Sequence, residues 1–242
     1  LVSAGKSLAS GDDVRVVYND TTELDRVNVT AFNTNTTTIF FRTQANISAG
    51  GNDSNYELYY DNPNAGVPPA DPNNVYLVWD DFTGTNGASL NSSRWGVLGE
   101  GSSIVDIQSN QARFYSPQQN YHDAQAWTVK NFTNTTGLDI TFDWVSWSCG
   151  NNARWRDGLF NSTYVPSDAY PSGQNLHVSD GCTGAAGYNV YRNSTSVFSE
   201  GQQTPPKTVR LLLDTDNWMR AYKDGALSWN GTWNRTQGDF RL

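Results

Sequence analysis

The sequence predicts an all-β protein, and three observations lead to that prediction. Apolar and polar residues alternate with period two in many short segments. These segments are bounded by Gly, Pro, Asn and Asp, which favour turns. No segment of helical length carries apolar residues at the 3.6-residue spacing of an amphipathic helix. We therefore expect short, half-buried strands joined by turns.

Three alternating segments, VRVVYND, TTTIFFRT and YELYY, predict strands before residue 61. On one face of each the apolar residues are, in order, Val14, Val16 and Tyr18; Ile39 and Phe41; and Tyr56, Leu58 and Tyr60. Residues 61–74 then lose the alternation and contain four Pro, which is typical of a linker or a long connection. We place a domain boundary near residue 78, giving domains 1–78 and 79–242.

The second domain contains a longer alternating segment, GLDITFDWVSWS. Its Leu138, Ile140, Phe142 and Trp144 share one face. Further on, TVRLLLD and NWMRAYKDGALSW predict closing strands and a hairpin, with Asp224-Gly225 as a favoured two-residue turn.

Short motifs on both sides of the boundary resemble known families. The run TTTIFFRTQANISAGGNDSNYELYYDNPNAG, with Tyr59-Tyr60-Asp61-Asn62-Pro63 near its end, resembles the DUF2341 family, as does DDVRVVYNDTTEL. Trp79-Asp80-Asp81-Phe82 matches the Phe-Asp-Asp-Phe-like segment that follows in that family. From Asp80 onward the chain is similar to a concanavalin A-like (LamG-type) jelly roll. The resemblance implies a β-sandwich followed by a jelly roll.

The DUF2341 resemblance also implies a further apolar β-segment before DDVRVVY, where this chain has only LVSAGKSLASG. If the mature chain starts here, the first domain is incomplete at its N-terminus and has an unpaired sheet edge. Such a domain is expected to take a strand from a neighbour. Residues 1–11 and 238–242 are the candidate exchanged strands, and Leu1, Val2 and Leu8 are the candidate apolar anchors.

Composition and charge indicate an extracellular protein without nucleic-acid partners. The net charge is −8, and no Lys/Arg cluster is available to bind phosphates. Only four Glu stand against twenty Asp, and Asn, Ser and Thr are abundant. No run of 18 apolar residues could span a membrane. We expect a mature secreted chain or a fragment of one.

Twelve Asn-x-Ser/Thr triplets, where x is not Pro, are candidate N-glycosylation sites. Chance placement at this composition would give about five, so a heavily glycosylated protein is expected. The candidates are Asn19, Asn28, Asn35, Asn46, Asn52, Asn91, Asn131, Asn134, Asn161, Asn193, Asn230 and Asn234.

The two cysteines, Cys149 and Cys182, are expected to form a disulfide worth about 3–4 kcal/mol in an oxidising compartment. Two unpaired buried thiols are the alternative. Asp80 and Asp81 are candidate ligands for a structural calcium ion, although adjacent Asp residues are as often part of a turn or strand edge.

These features favour a structural function: a secreted subunit of a homopolymer, assembled head to tail into an extracellular filament by β-strand exchange. The alternative is a lectin-like module for surface glycans, in which aromatic rings stack on sugars. Its candidate residues are Trp144, Trp147, Trp155, Trp218, Trp229 and Trp233.

A glycoside hydrolase is the third reading and finds little support. It needs two carboxylates at a defined separation, and Glu23, Glu57, Glu100 and Glu200 are isolated in sequence. Asp139 and Asp143 share a strand face without a glutamate, and His122 and His177 lack ligands at metal spacing. We therefore assign no catalytic residue and expect no cofactor beyond the calcium ion considered above.

Overall fold

The computed structural model describes residues 2–34, 36–48, 50–116, 124–133, 137–146, 154–162, 175–181, 187–201, 204–234 and 239–242. Within these ranges the chain forms antiparallel strands, a 3₁₀ turn at Val2–Ala4 and a short α-helix, α1, at Pro72–Val75. The predicted all-β class is confirmed. No helix among the described residues is both long and apolar enough to cross a bilayer.

The chain divides into two compact units, Leu1–Asp80 and Asp81–Leu242. We call them the first and second units. The sequence placed the boundary near residue 78, and the division falls after Asp80.

The first unit contains one three-stranded sheet and one two-stranded ribbon. Its strands are β1 (Arg15–Tyr18), β2 (Thr22–Glu23), β3 (Arg26–Asn28), β4 (Ile39–Phe41) and β5 (Tyr56–Tyr59). The sheet has the order β2-β1-β5, and the ribbon joins β3 to β4. Strands β1 and β2 are joined by the three residues Asn19, Asp20 and Thr21; Asn19 and Asp20 have positive φ, and the amide of Thr21 donates to the carbonyl of Tyr18.

The core of the first unit is small and contains a buried charge. Val14, Val16 and Leu24 are its buried apolar residues. Arg26 is only 2% exposed; its Nε donates to the carbonyl of Val14 at 2.8 Å and its Nη2 to that of Gly11 at 2.7 Å. Burial is the main cause that lowers the pKa of Arg26. The guanidinium therefore holds the backbone at Gly11 and Val14 by hydrogen bonds.

The second unit contains two larger sheets and two ribbons. Its strands are β6 (Trp95–Gly99), β7 (Ile104–Ile107), β8 (Ala112–Tyr115), β9 (Ala124–Thr128), β10 (Leu138–Trp144), β11 (Arg154–Asn161), β12 (Asn175–Gly181), β13 (Asn189–Arg192), β14 (Thr195–Ser199), β15 (Lys207–Leu213), β16 (Trp218–Lys223), β17 (Ala226–Thr232) and β18 (Phe240–Arg241). One sheet has the order β14-β13-β12-β11-β18 and the other β10-β15-β16-β17. The ribbons pair β6 with β9 and β7 with β8.

Period-two burial gives the four-stranded sheet a buried inner face and a more exposed outer face. Leu138, Ile140 and Trp144 on β10 are buried, and the residues between Leu138 and Ile140 and between Ile140 and Phe142 are exposed, which confirms the predicted face. On β15 and β16 the inner residues are at most 2% exposed. The predicted Asp224-Gly225 turn joins β16 to β17, with positive φ at both residues.

The C-terminal strand belongs to the unit's own sheet. β18 pairs with the end of β11 through Phe160 and Asn161. Phe240 is 1% exposed and packs edge-on against Trp233 at 4.9 Å. In the single chain residues 239–242 therefore belong to the unit's own sheet, with Phe240 in its core. The exchange of residues 238–242 between copies stays a prediction.

Candidate functional site

Strand β5 has an open edge. It pairs with β1 on one side, and no second strand pairs with it among the described residues. The amide of Asn19 donates to the carbonyl of Asn55, so alternate pairs along the ladder exchange hydrogen bonds. By this alternation the backbone groups of Glu57 and Tyr59 point toward β1, and those of Tyr56 and Leu58 point toward the open edge.

The same strand leaves apolar side chains uncovered. Tyr56 and Leu58 lie beside Tyr18 and Val16, so they share the apolar face of the sheet. Tyr56 is covered by the rings of Tyr18 at 4.8 Å and Phe41 at 5.6 Å. Leu58 is 51% exposed and Tyr60 is 45% exposed. The apolar face is thus covered over β1 and bare at the end of β5.

In the single chain the N-terminal segment begins with a turn, and its described residues are not part of a sheet. Val2–Ala4 is a 3₁₀ turn closed by a hydrogen bond from the amide of Gly5 to the carbonyl of Val2. Val2 and Leu8 are both half-buried, whereas Leu1 lies outside the described residues. The amide of Gly11 donates to the carbonyl of Leu8 and closes a second turn. Exchange of this segment between copies stays a prediction.

A buried carboxylate holds this segment in place. Oδ1 of Asp13 accepts hydrogen bonds of 2.9 Å from the amide of Leu8 and the hydroxyl of Ser7, and Oδ2 accepts one of 2.9 Å from the amide of Asp61. Burial acts to raise the pKa of Asp13, but the hydrogen bonds from Asp61, Leu8 and Ser7 outweigh it and lower the pKa. We call this arrangement the Asp13 clasp. It ties residues 7–8 to the chain just after β5.

Most described sequon asparagines lie on the surface. The exposed ones are Asn19, Asn28, Asn46, Asn52, Asn91, Asn131, Asn193, Asn230 and Asn234, whereas Asn35 and Asn134 lie outside the described residues. Asn161 differs: it is 9% exposed and lies in β11 opposite Phe240. A glycan needs access to the side-chain amide, so Asn161 is the least suitable of the described candidates.

Several of the exposed asparagines lie in turns. Asn193 has positive φ in the β13–β14 hairpin, and its Oδ1 accepts a hydrogen bond of 2.9 Å from Nε1 of Trp233. Oδ1 of Asn91 accepts from the amide and the hydroxyl of Ser93, an Asx turn. In both residues Oδ1 accepts a hydrogen bond, and Nδ2, the atom to which a glycan is linked, is left for modification.

The candidate sugar-stacking tryptophans are divided between core and surface. Trp144 and Trp233 are buried, so neither is a binding platform. Trp218 is 38% exposed, and Trp229 is half-buried. Trp147 and the side chain of Trp155 lie outside the described residues.

The structure does not gather the candidate metal and acid residues into one place. Oδ1 of Asp81 accepts from the amide of Thr83, a turn contact, and the described residues hold no group of three His, Cys, Asp or Glu side chains suited to a metal. Asp139 forms a two-point ion pair with Arg210, and Asp143 accepts from the hydroxyl of Thr208. His122, Cys149 and Cys182 lie outside the described residues.

The sequence did not predict the burial of two polar groups in the second unit. His177 stacks between Tyr191, at 4.8 Å, and Phe160, at 5.3 Å, and burial lowers its pKa to about 3. The carboxyl of Asp157 is enclosed by protein, although the residue as a whole is half-buried. Burial raises the pKa of this carboxyl to about 6, while a hydrogen bond from Trp144 acts to lower it. The alternation of residues around Val178 and Leu159 could have indicated this burial, because it places Asp157 on the inner face of the sheet.

Comparison with known proteins adds no relative. A scan against protein-family models found no matching family, and a search of curated proteins found no match. The resemblance to the DUF2341 family and to the concanavalin A-like jelly roll therefore stays a prediction.

Proposed function

We propose that this chain is a secreted, N-glycosylated structural protein whose copies assemble head to tail, by addition of a strand to the open edge of β5. The observation that carries the proposal is on β5 itself. The strand has outward-pointing backbone groups at Tyr56 and Leu58 and an exposed apolar side chain at Leu58, and the exposed Tyr60 follows directly after it.

A strand added at this edge would satisfy both features at once. Each backbone hydrogen bond contributes about 0.5–1.5 kcal/mol net, and Tyr56 and Leu58 offer up to four such groups. An incoming apolar side chain would cover Leu58, and burying a leucine contributes roughly 1.5–3 kcal/mol when it starts fully exposed. Strand addition is a recurring mode of recognition because the backbone supplies affinity and alternate side chains supply register.

We assign the donor to residues 1–10 of a neighbouring copy, with Leu1, Val2 and Leu8 as apolar anchors. Extended, this segment would place Val2 and Leu8 on one face, since their numbers differ by an even count. In the single chain its residues Ser7 and Leu8 are held by the Asp13 clasp, so exchange requires the clasp to open. A contact between two different surfaces propagates as a fibre when its rotation does not close a ring.

The exposed asparagines fit the same function. Glycans at these positions would cover polar surface and limit lateral association between filaments. Neutral Asn, Ser and Thr side chains, together with a net charge of −8, give a surface suited to the cell exterior.

The test compares the natively secreted protein with two single variants, Leu58→Lys and Val67→Lys, by electron microscopy and size-exclusion chromatography without denaturant. Leu58→Lys places a charge on the bare apolar face of β5. Val67→Lys adds the same charge in the same unit at a residue that is 82% exposed and outside any strand. We expect uniform fibres from the native protein and from Val67→Lys, and monomers from Leu58→Lys.

A native protein that remains monomeric would overturn the proposed assembly. Fibres from Leu58→Lys that match the native ones would place the joint elsewhere and reject the β5 edge. Site-by-site glycopeptide mass spectrometry of the same samples tests the glycosylation, and unmodified asparagines throughout would reject it.

A further inference from the structure

The outer face of the four-stranded sheet carries a sequon beside exposed apolar groups. On β16, Trp218, Arg220 and Tyr222 point outward, because Met219 and Ala221 between them are buried. Their partners on β17 are Thr232 opposite Trp218, Asn230 opposite Arg220 and Leu227 opposite Tyr222. Asn230 therefore lies on this face with Trp218 and Tyr222 as its two diagonal neighbours.

This face exposes two large apolar side chains beside its charged residues. Trp218 is 38% exposed and Leu227 is 51% exposed. Diagonal neighbours on adjacent strands lie about 7–8 Å apart, which is within reach of an aromatic ring and a group linked to Asn230. Asn230-Gly231-Thr232 is a sequon on the edge strand β17, so Asn230 is a candidate sugar acceptor close to the exposed indole of Trp218.

We propose that the chain's own N-linked glycan at Asn230 packs on the indole of Trp218 and covers this face. The inference deepens the proposed function, on whose glycosylation it depends. Attachment forms a bond between Nδ2 of Asn230 and the anomeric carbon of the first sugar. The same carbon loses its bond to phosphate in a lipid-linked oligosaccharide donor, and the Nδ2 proton leaves.

Trp218 is better placed than Tyr222 to receive the sugar. Arg210 lies over the ring of Tyr222, 5.7 Å from its centroid, and occupies one face of that ring. Trp218 is held by its backbone, whose amide donates to Oδ1 of Asp216 at 3.1 Å. Among the described residues its indole N–H has no hydrogen-bond partner, so it is available to a sugar hydroxyl or acetamido oxygen.

The ion pairs on the face leave space for the glycan. Arg220, directly opposite Asn230, pairs with Asp214 at 3.1 Å, and Arg210 pairs with Asp139. These contacts direct both guanidinium groups to carboxylates on the same unit. The axial C–H groups of a sugar ring interact favourably with the electron-rich face of an indole, and for this reason we assign Trp218 as the partner of the sugar.

The experiment is a double-mutant cycle on glycoprotein secreted from a host that N-glycosylates. Thr232→Val removes the sequon without changing Asn230, Trp218→Ala removes the platform, and the double variant closes the cycle. Thr195→Val is the matched control, since it removes the Asn193 sequon in the β13–β14 turn. We expect Thr232→Val to lower the thermal midpoint by about 2–4 °C and to have less than half that effect when Trp218 is absent. Thr195→Val should have the same effect with or without Trp218.

A second measurement does not depend on the stability of the variants. Nuclear Overhauser contacts between ring protons of the first sugar and indole protons of Trp218 are expected in the native glycoprotein. The inference would be overturned if the effects of Thr232→Val and Trp218→Ala on the thermal midpoint were additive and no Overhauser contacts were seen. An unmodified Asn230 in a chain whose other sequons carry glycans would also overturn it. Neither result would contradict the proposed function. A chain without any glycan would reject both.

Discussion

The indole N–H of Trp144 donates a hydrogen bond of 2.6 Å to Oδ2 of Asp157. Trp144 ends β10 in the four-stranded sheet, and Asp157 lies in β11 of the five-stranded sheet. The bond therefore joins the two sheets of the second unit. It is also the single hydrogen bond to this carboxyl among the described residues.

Replacing the carboxyl by an amide should stabilise the protein at neutral pH. Burial raises the pKa of Asp157 from 3.8 to about 6, so the folded protein holds a proton that the unfolded chain loses first. The contribution of Asp157 to stability is therefore largest below pH 3.8 and is lost as the pH rises to about 6. By linkage the loss is at most about 3 kcal/mol.

Asp157→Asn keeps an acceptor for Trp144 and removes this ionisation. We expect a higher thermal midpoint at pH 7 to 8 and a flatter dependence of stability on pH between about 4 and 6, measured by circular dichroism. Asp143→Asn, at an exposed residue of β10, is the control and should keep the wild-type slope. An Asp157→Asn profile parallel to the wild type would contradict the assignment.

The Asp13 clasp predicts the opposite dependence on pH. Because the hydrogen bonds lower its pKa, Asp13 stabilises the fold above pH 3.8, and that contribution is lost as the pH falls through its folded pKa. Asp13→Ala leaves the amides of Leu8 and Asp61 without their acceptor, at a cost of about 1–3 kcal/mol for each group that stays buried.

We expect Asp13→Ala to increase hydrogen exchange at the amides of Leu8 and Asp61, measured by mass spectrometry or NMR. Asp12→Ala is the matched control, because Asp12 lies next in the chain and accepts from the exposed hydroxyl of Ser10. Unchanged exchange at Leu8 in Asp13→Ala would show that the clasp does not hold the segment.

Gly158 is required by close packing between β11 and β12. A Cβ at this position would lie 2.3 Å from the carbonyl oxygen of Leu176 and 2.6 Å from Cα of His177. Backbone cannot move aside as a flexible side chain does, so Gly158→Ala should destabilise the second unit by more than about 2 kcal/mol. It should also disturb the stacking of His177 on Tyr191.

Urea unfolding followed by tryptophan fluorescence measures this change. Gly201→Ala is the control, since a Cβ there meets no atom within 4 Å. Equal unfolding midpoints for the two variants would contradict the packing argument.

Part of this structure could be predicted because it depends on patterns of neighbouring residues in the sequence. Alternation located β1, β4, β5 and β10 and the inner face of β10, since side chains on successive strand residues point to opposite faces. Asp224-Gly225 marked its hairpin because both positions need positive φ. The sequons are likewise written in three consecutive residues.

The tertiary structure decided what depends on residues distant in sequence. Asp13 and Asp61 are separated by 48 positions, and their hydrogen bond follows from the pairing of β1 with β5. Asn161 has the same sequon pattern as Asn193, yet it is buried because β18 returns to pair with β11.

The N-terminal segment shows most directly what the sequence pattern alone does not predict. Its apolar residues suggested a strand for exchange, but the carboxylate of Asp13 holds Ser7 and Leu8 in a turn. The sequence by itself determined the strands, turns and modification motifs, because each depends on neighbours along the chain. Only the fold decided which edge of the first unit stays open and which groups are buried, because those depend on which strands meet.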